Sequence, residues 1–425
     1  MEEKKRYICN GLCEQCPHTR GSAYCNPGPR GGRFAHRIDR VLTNRWIGLP
    51  ILVLLLFLIF EATFALGAYP QAWIDAGVDK MALRLGECLP DGWFSSLLAD
   101  GVLRGCGAVV SFLPNIVILF CFLSVLEDSG YMARAAYLMD TLMHAVGLHG
   151  SSFIPMIVGF GCNVPAIMAA RDIENRKDRT LTMLMIPFMS CSARLPVYLL
   201  LVSAFFPDHK APVMIGLYVA GILLSVLFAF VMKHTRWFRK GKEDSVFELP
   251  AFRVPAWRPW AGHVWARTKD YLQKITTVIL AASVIIWALE YFPLDENGGR
   301  AAQDRSCLAE IGRGMEPVMA PLGFTWKMNV CILTGLPAKE AIVSTMGILY
   351  PAEASRPLPE TLRVSGDFTP ASALAFMIFV LLYFPCIATV RTLHKEIGWK
   401  WSLFSVLHSL GIAWLMAFGV FSLLG

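Results

Sequence analysis

Two apolar stretches of this chain carry residue types that could do chemistry inside a membrane. Residues 153–165 and 187–194 are each broken by Pro, Gly and small polar residues around one cysteine, Cys162 in the first and Cys191 in the second. Irregular backbone at membrane depth is tolerated only where it is buried in protein or lines a cavity, and broken helices often mark a transporter's substrate site. Because thiols bind soft and borderline metal ions, the pattern predicts a metal-ion path. Further candidate donors beside the thiols are Asn163, Ser190 and Ser192.

The composition predicts an all-α polytopic membrane protein. Of the 425 residues, 55% are hydrophobic and 17% are charged, whereas soluble chains carry about 25% charged residues. A membrane-spanning helix needs about 20 mostly apolar residues. By that measure we expect seven full spans, near residues 46–68, 105–127, 181–206, 212–233, 273–292, 371–390 and 401–424. Two further apolar segments, 153–170 and 327–350, are short and broken. They are either re-entrant hairpins or extra spans, and the loop charges favour hairpins.

The distribution of charge predicts the orientation of these spans. Basic residues cluster before residue 46 and within 234–272, while acidic residues cluster within 69–104 and 293–316. Cytoplasmic loops of membrane proteins are enriched in Lys and Arg, so we expect a cytoplasmic N-terminus. The net charge of +7 lies in these loops and predicts no nucleic-acid partner. The lipid bilayer is the expected environment.

A weak internal repeat relates the two halves of the chain. Met139 recurs as Met315 and Gly159 as Gly335, at one offset of 176 residues (315 − 139 and 335 − 159). With the loop charges above, the two copies cross the membrane in opposite directions, which predicts an inverted repeat with its site between the broken elements. The expected regions are a leader 1–36, a first transmembrane helix with an outer amphipathic segment 37–104, a first repeat 105–233, a cytoplasmic basic loop 234–272 and a second repeat 273–425.

The repeat predicts which thiols meet. Cys386 follows a proline at the position of the second copy that matches Cys191, so Cys162, Cys191 and Cys386 are expected to converge on one path. A lone membrane cysteine is ordinarily a small packing residue. We assign that packing role to the cysteines in uninterrupted apolar runs, Cys106, Cys121 and Cys331.

Three carboxylates are further candidates along the path. Glu127 and Asp128 end the second span, where hard oxygen ligands suit a hydrated divalent ion; the alternative is an ordinary interfacial acidic pair. Glu340 falls at the second broken segment and is either an ion ligand or the partner of Lys339 in a buried ion pair. Arg194 could neutralise a carboxylate or extend to the interface.

Four longer motifs give the chain a family resemblance. Residues 39–50, 126–134, 159–165 and 187–198 closely resemble the membrane domain of the bacterial ferrous iron transport protein B family. The resemblance covers roughly residues 37–425 and implies an Fe²⁺ importer of the bacterial cytoplasmic (inner) membrane, with the broken segments as paired Gate motifs. It also implies that Cys162, Cys191 and Cys386 line the iron path. Two alternatives stay open: a Gate-type transporter of another solute, such as a nucleoside or organic anion, and a membrane metal sensor.

The resemblance has one departure. Members of the family usually begin with a GTPase domain, but this sequence holds no G-x-x-x-x-G-K-[ST] phosphate loop. We therefore expect a transporter that is not itself an enzyme and binds no nucleotide. Either a separate GTPase acts as a partner or transport needs no nucleotide. A small cytoplasmic protein and further copies in a homo-oligomer are the other candidate partners.

The leader carries its own candidate metal site. Five potential ligands crowd into this short hydrophilic segment: Cys9, Cys13, Cys16, His18 and Cys25. Disulfides are disfavoured in the cytoplasm, so the spacing indicates Zn²⁺ or an iron–sulfur cluster. A leader without metal is the third alternative.

Overall fold

The computed structural model describes residues 8–10, 24–26, 41–88, 90, 92–146, 148–235, 237–238, 256–292, 305–351 and 357–425. Within these ranges the regular secondary structure is helical, apart from two three-residue strands, β1 (Ile8–Asn10) and β2 (Tyr24–Asn26), that pair in parallel. The helices of the N-terminal half are α1 (Arg45–Cys88), α2 (Trp93–Asp128), α3 (Tyr131–Val146), α4 (Phe153–Gly161), α5 (Asn163–Ala169), α6 (Arg176–Met185), α7 (Leu195–Phe205) and α8 (Lys210–His234). Those of the C-terminal half are α9 (Trp257–Tyr291), α10 (Cys307–Met319), α11 (Trp326–Thr334), α12 (Ala341–Leu349), α13 (Leu358–Val364), α14 (Pro370–Leu382), α15 (Ile387–Ile397) and α16 (Trp399–Leu424).

Seven helical segments among the described residues are long and apolar enough to cross a membrane, which confirms the predicted number and position of the full spans. Five of them are α1, α2, α8, α9 and α16. The third span combines α6 with α7, and the sixth combines α14 with α15. These two composite spans are the central ones, because 61% and 67% of their apolar windows are buried in protein, against 17% for α1 and 7% for α9.

The first two spans are longer than the sequence predicts. Helix α1 has 44 residues, so at 1.5 Å per residue it is about 66 Å long, about twice the hydrocarbon thickness of a bilayer. The amphipathic segment expected after residue 68 therefore continues α1 without a break. Helix α2 runs back beside it, and Asn115 Nδ2 of α2 donates a hydrogen bond to Gln71 Oε1 of α1 at 2.9 Å.

The first broken segment is a hairpin whose two ends lie together. At its start, Phe153 shares a small cavity with Leu126, near the C-terminal end of α2. At its finish, Asp172 lies 3.9 Å from the Arg267 guanidinium, which binds Glu127 of α2 at 2.8 Å. We call this end of the helix bundle, marked by Glu127 and Asp172, the first end.

The second broken segment is a hairpin that opens at the opposite end. Lys327, at the start of α11, and Tyr350, just after α12, both bind Asp367 at 2.9 Å. The neighbouring Phe368 ring packs on Phe205, the last residue of α7, at a centroid distance of 5.9 Å. We call this the second end. The third span runs from the first end to the second, so the two hairpins enter from opposite ends, as the inverted repeat predicts.

Candidate functional site

Both central spans are interrupted at mid-length. Between α6 and α7 the chain forms two short 3₁₀ turns, Ile186–Phe188 and Ser192–Arg194, joined by extended backbone at Cys191. Between α14 and α15 lie four non-helical residues that end at Cys386. Prolines explain both interruptions, since a proline within a helix lacks the N–H that would bond to the preceding turn. The two predicted thiols therefore sit on irregular backbone in the centre of the bundle.

The tip of the first hairpin rests on the interruption of the third span. Cys162 separates α4 from α5 in an extended conformation, and the preceding Gly161 carbonyl accepts a hydrogen bond from Ser192 Oγ at 2.9 Å. Gly161 is required by close approach, because a Cβ there would lie 2.5 Å from the Phe60 ring. The contact therefore brings Cys162 to the break that carries Cys191.

The tip of the second hairpin rests on the interruption of the sixth span in the same manner. The Ile387 N–H donates to the Leu336 carbonyl at 3.1 Å. Lys339 donates from Nζ to the Phe384 carbonyl at 2.7 Å, and its ammonium lies 3.3 Å from the centroid of the Tyr383 ring. These contacts, including a cation–π interaction, attach the tip to the break that carries Cys386.

The three predicted thiols come into one region. Cys162 is close enough to both Cys191 and Cys386 for their charges to interact, and Cys386 is likewise close enough to Cys191. Across the part of the chain that the structure describes, however, no group of three or more His, Cys, Asp or Glu side chains is close enough to hold a metal ion. The thiols thus share a region without forming a preassembled ligand set, and their role as ligands stays a prediction.

The oxygen donors beside the thiols differ in availability. Asn163 is 4% exposed, and among the described residues its Oδ1 has no hydrogen-bond donor. A buried polar atom without a partner is unfavourable. This oxygen is therefore a candidate ligand, because it could bind an ion without first losing a hydrogen bond. Ser192 is engaged with Gly161, and Ser190 lies 3.4 Å from the Tyr198 hydroxyl.

The predicted carboxylates fall into two places. Glu127 and Asp128 lie at the first end, away from the breaks, and Glu127 is ion-paired with Arg267. Glu340 lies at the tip of the second hairpin, within electrostatic range of Cys162. The described residues show no ion pair between Glu340 and Lys339; the lysine instead binds the carbonyl and ring next to Cys386.

A structural role for Arg194 was not foreseen from sequence. Its side chain is fully buried and donates to the carbonyls of Met189 at 3.0 Å and Pro187 at 3.3 Å. It therefore closes the loop around Cys191. Among the described residues it forms no ion pair with a carboxylate, and because it is buried it does not reach the interface. The available signal was a charged residue in an apolar span, three residues after the cysteine.

The leader cysteines are described only in part. Cys9 of β1 and Cys25 of β2 are register partners in the parallel pairing, which brings their backbones side by side. Cys13, Cys16 and His18 lie outside the described residues. The leader metal site therefore stays a prediction.

Comparisons with known proteins agree with this architecture. The Gate family model, described as nucleoside recognition, matches residues 109–205 and 272–400, and the model described as ferrous iron transport protein B C terminus matches residues 214–267. The chain is 47% identical over 430 residues to the Fe(2+) transport protein A/Fe(2+) transporter FeoB fusion protein of Porphyromonas gingivalis, covering 91% of this chain and 51% of that protein. It is 41% identical over 395 residues to the Fe(2+) transporter FeoB of Campylobacter jejuni, covering 90% and 64%.

An archaeal relative, the Fe(2+) transporter FeoB of Methanocaldococcus jannaschii, is 36% identical over 394 residues, covering 91% of this chain and 58% of that protein. The chain thus spans between about half and two thirds of the length of the curated relatives it matches. No solved structure matches it. Since the Gate match covers more than half of the chain and the relatives align along about nine tenths of it, the chain belongs to the Gate family and corresponds to the membrane part of ferrous iron transport protein B.

Proposed function

We propose that this chain conducts Fe²⁺ across the bacterial cytoplasmic membrane, along a path that passes Cys162, Cys191 and Cys386. The observation that carries the proposal is the meeting of two oppositely inserted hairpin tips with two interrupted spans around these thiols. The printed names of the relatives, all Fe(2+) transporters, support Fe²⁺ as the cargo.

The absence of a ready ligand set among the described residues fits a conduction path. An ion must bind well enough to enter and weakly enough to leave. Three thiols that are near one another but not yet in ligand geometry, with the Asn163 amide oxygen beside them, can assemble around Fe²⁺ after a small movement of either tip. Because Zn²⁺ binds most sites more tightly than Fe²⁺, selectivity then comes from the geometry of this assembly.

The two tips also suggest how access could alternate between the ends. Each hairpin opens to one end of the bundle and is held at its tip by few hydrogen bonds. These are the Ser192–Gly161 bond on one side, and the Lys339–Phe384 and Ile387–Leu336 bonds on the other. Loosening one contact while the other holds would open the thiol region to one end only. The site then faces one compartment at a time, as transport by inverted repeats requires.

The proposal is tested by uptake of Fe²⁺ into proteoliposomes under reducing conditions. Cys162→Ser and Cys191→Ser, singly and together, are expected to lower the initial uptake rate at least about tenfold, since a hydroxyl is a much poorer ligand for borderline ions than a thiolate. Cys121→Ser is the matched control, because that thiol lies in the uninterrupted helix α2. Wild-type uptake by the double variant would contradict the cysteine path.

A second cargo is suggested by the description of the matched Gate model, nucleoside recognition. The same proteoliposomes, loaded with no metal and offered radiolabelled uridine, separate the two functions. Uridine uptake that survives both cysteine substitutions would favour a nucleoside transporter over the Fe²⁺ path.

We infer the orientation of the chain in the membrane, and the place where partner proteins bind, from contacts at the first end of the bundle. Trp237 and Trp401 pack there at 5.2 Å, which brings the boundary of the basic loop 234–272 to the end marked by Glu127. We infer that this end faces the cytoplasm and receives a separate GTPase, since the sequence contains no phosphate loop. The fusion of one relative to Fe(2+) transport protein A supports a small protein partner at the same end.

Calorimetry of the purified chain with GTP and Mg²⁺ is expected to show no binding; stoichiometric binding would refute the inference.

A further inference from the structure

A groove on the outside of the bundle runs beside the interruption of the sixth span. It encloses about 440 Å³ between α9, α15 and α16, a volume within the range of small-molecule sites. One part of its lining is apolar, with Val278 of α9 on one side and Leu403 and Val406 of α16 on the other. Leu403 is 45% exposed, so this part of the groove is open to the hydrocarbon around the protein.

The other part of the groove is cationic. Arg391 and His394 are three residues apart on α15 and therefore share one helix face; both line the groove, and both are exposed. No acidic residue lines it, and within the described residues neither side chain forms an ion pair. By contrast, Arg171 at the same end is paired with Asp270 and Glu396. The groove thus presents positive charge that the protein itself leaves uncompensated.

Tryptophans locate this cationic part at the membrane surface. Trp399, 59% exposed, lines the groove. Three other exposed tryptophans occur where helices begin or loops are bounded at the same end, namely Trp46, Trp237 and Trp257, and the exposed Trp265 lies about two turns inside α9. Tryptophan is enriched at headgroup level, so Arg391 and His394 lie where lipid phosphates are found, and the apolar part lies where acyl chains are found.

We propose that this groove binds one anionic phospholipid of the leaflet at the first end. Its phosphate binds Arg391 and His394, and one acyl chain packs between Val278 and Val406. Basic pockets between transmembrane helices are recognised sites for anionic lipid headgroups. A zwitterionic lipid carries its own cation and would leave the charge of the groove uncompensated.

The lipid would support the second hairpin from outside. Phe384 and Ile387 form the groove wall closest to the break, and their backbone groups bind Lys339 and Leu336 at the hairpin tip. An acyl chain in the groove therefore packs against the same residues that hold the tip beside Cys386. This binding site does not depend on which ion or solute the chain transports.

The test uses the full chain in phosphatidylcholine nanodiscs that contain a minority of phosphatidylglycerol. Native mass spectrometry after mild detergent release counts the lipids retained on each chain. We expect one phosphatidylglycerol to be retained in preference to phosphatidylcholine. Arg391→Gln and His394→Gln together should reduce that preference, with about a fivefold loss from the arginine alone. Lys400→Gln removes one charge at the same end outside the groove lining and should leave retention unchanged.

A second variant tests the apolar part. Val406→Trp fills the groove while Arg391 and His394 remain, and it should abolish retention of phosphatidylglycerol. Equal retention of the two lipids by the wild-type chain would overturn the proposal. So would a loss in Lys400→Gln as large as in Arg391→Gln, because the effect would then be general surface attraction, and so would undiminished retention by a folded Val406→Trp variant.

Discussion

Arg194 offers the sharpest test of how the central break is held. Replacing it by Met keeps a straight side chain of similar length but removes both hydrogen bonds, to the carbonyls of Met189 and Pro187. Each buried carbonyl left without a donor costs about 1–3 kcal/mol, so the loop around Cys191 should lose about 2–6 kcal/mol. The lower half of that range is expected, because Arg194 Nε has no partner among the described residues and its removal relieves part of the cost of burying the charge.

The loss of stability is best measured at Cys191, the cysteine inside the loop. On a background in which the other thiols are serine, the rate at which Cys191 reacts with a small maleimide reports local opening. A loss of about 2–4 kcal/mol raises that rate about 30-fold or more, since each 1.4 kcal/mol is tenfold. Arg194→Lys should give an intermediate rate, because an ammonium cannot reproduce the fork of a guanidinium.

The control is Arg176→Met, at the exposed first turn of α6, which should leave the Cys191 rate unchanged. An unchanged rate in Arg194→Met, with protein that still inserts and purifies as a monodisperse species, would refute the role assigned to the arginine. The loop would then be held by the packing of its own apolar side chains.

Three further outcomes are expected. Gly335→Ala would bring a Cβ within 2.6 Å of the Tyr383 hydroxyl and should lower both Fe²⁺ uptake and stability, the latter by about 1–3 kcal/mol. Gly314→Ala, with open space around it, is the matched control. Equal behaviour of the two variants would contradict the tip contact. A reporter cysteine at Gly241 should resist an impermeant maleimide applied outside cells, while one at Gly299 should react; the reverse pattern would invert the proposed orientation. Serine in place of all four leader cysteines should lower the metal content of the purified chain by one ion or cluster per molecule; an unchanged content would show that the leader holds none.

The long-range pattern of hydrophobicity was sufficient to predict much of this fold. Seven spans and two broken segments were predicted at their observed positions, because a lipid environment requires every spanning backbone to be helical and leaves a long apolar run as the signal. The repeat at an offset of 176 residues correctly related the first hairpin to the second, since the break at Cys162 corresponds to the break near Ala338. Proline and glycine within apolar sequence identified the interruptions, because proline lacks the N–H that the interior of a helix requires.

Other features were decided only by tertiary structure. For Arg194 the sequence left a carboxylate partner or the interface open, and for Lys339 it left open an ion pair with Glu340. Both side chains bind backbone carbonyls instead, because an interrupted helix exposes acceptors that sequence alone does not reveal. The continuation of α1 far past its predicted span depends on its packing against α2. Whether the thiols form a ligand set is likewise a matter of distances between segments more than 190 residues apart (386 − 191). Amino-acid types and spacing therefore determined the helices, the breaks and the candidate donors, whereas long-range packing decided which groups meet and which buried polar atoms have no partner among the described residues.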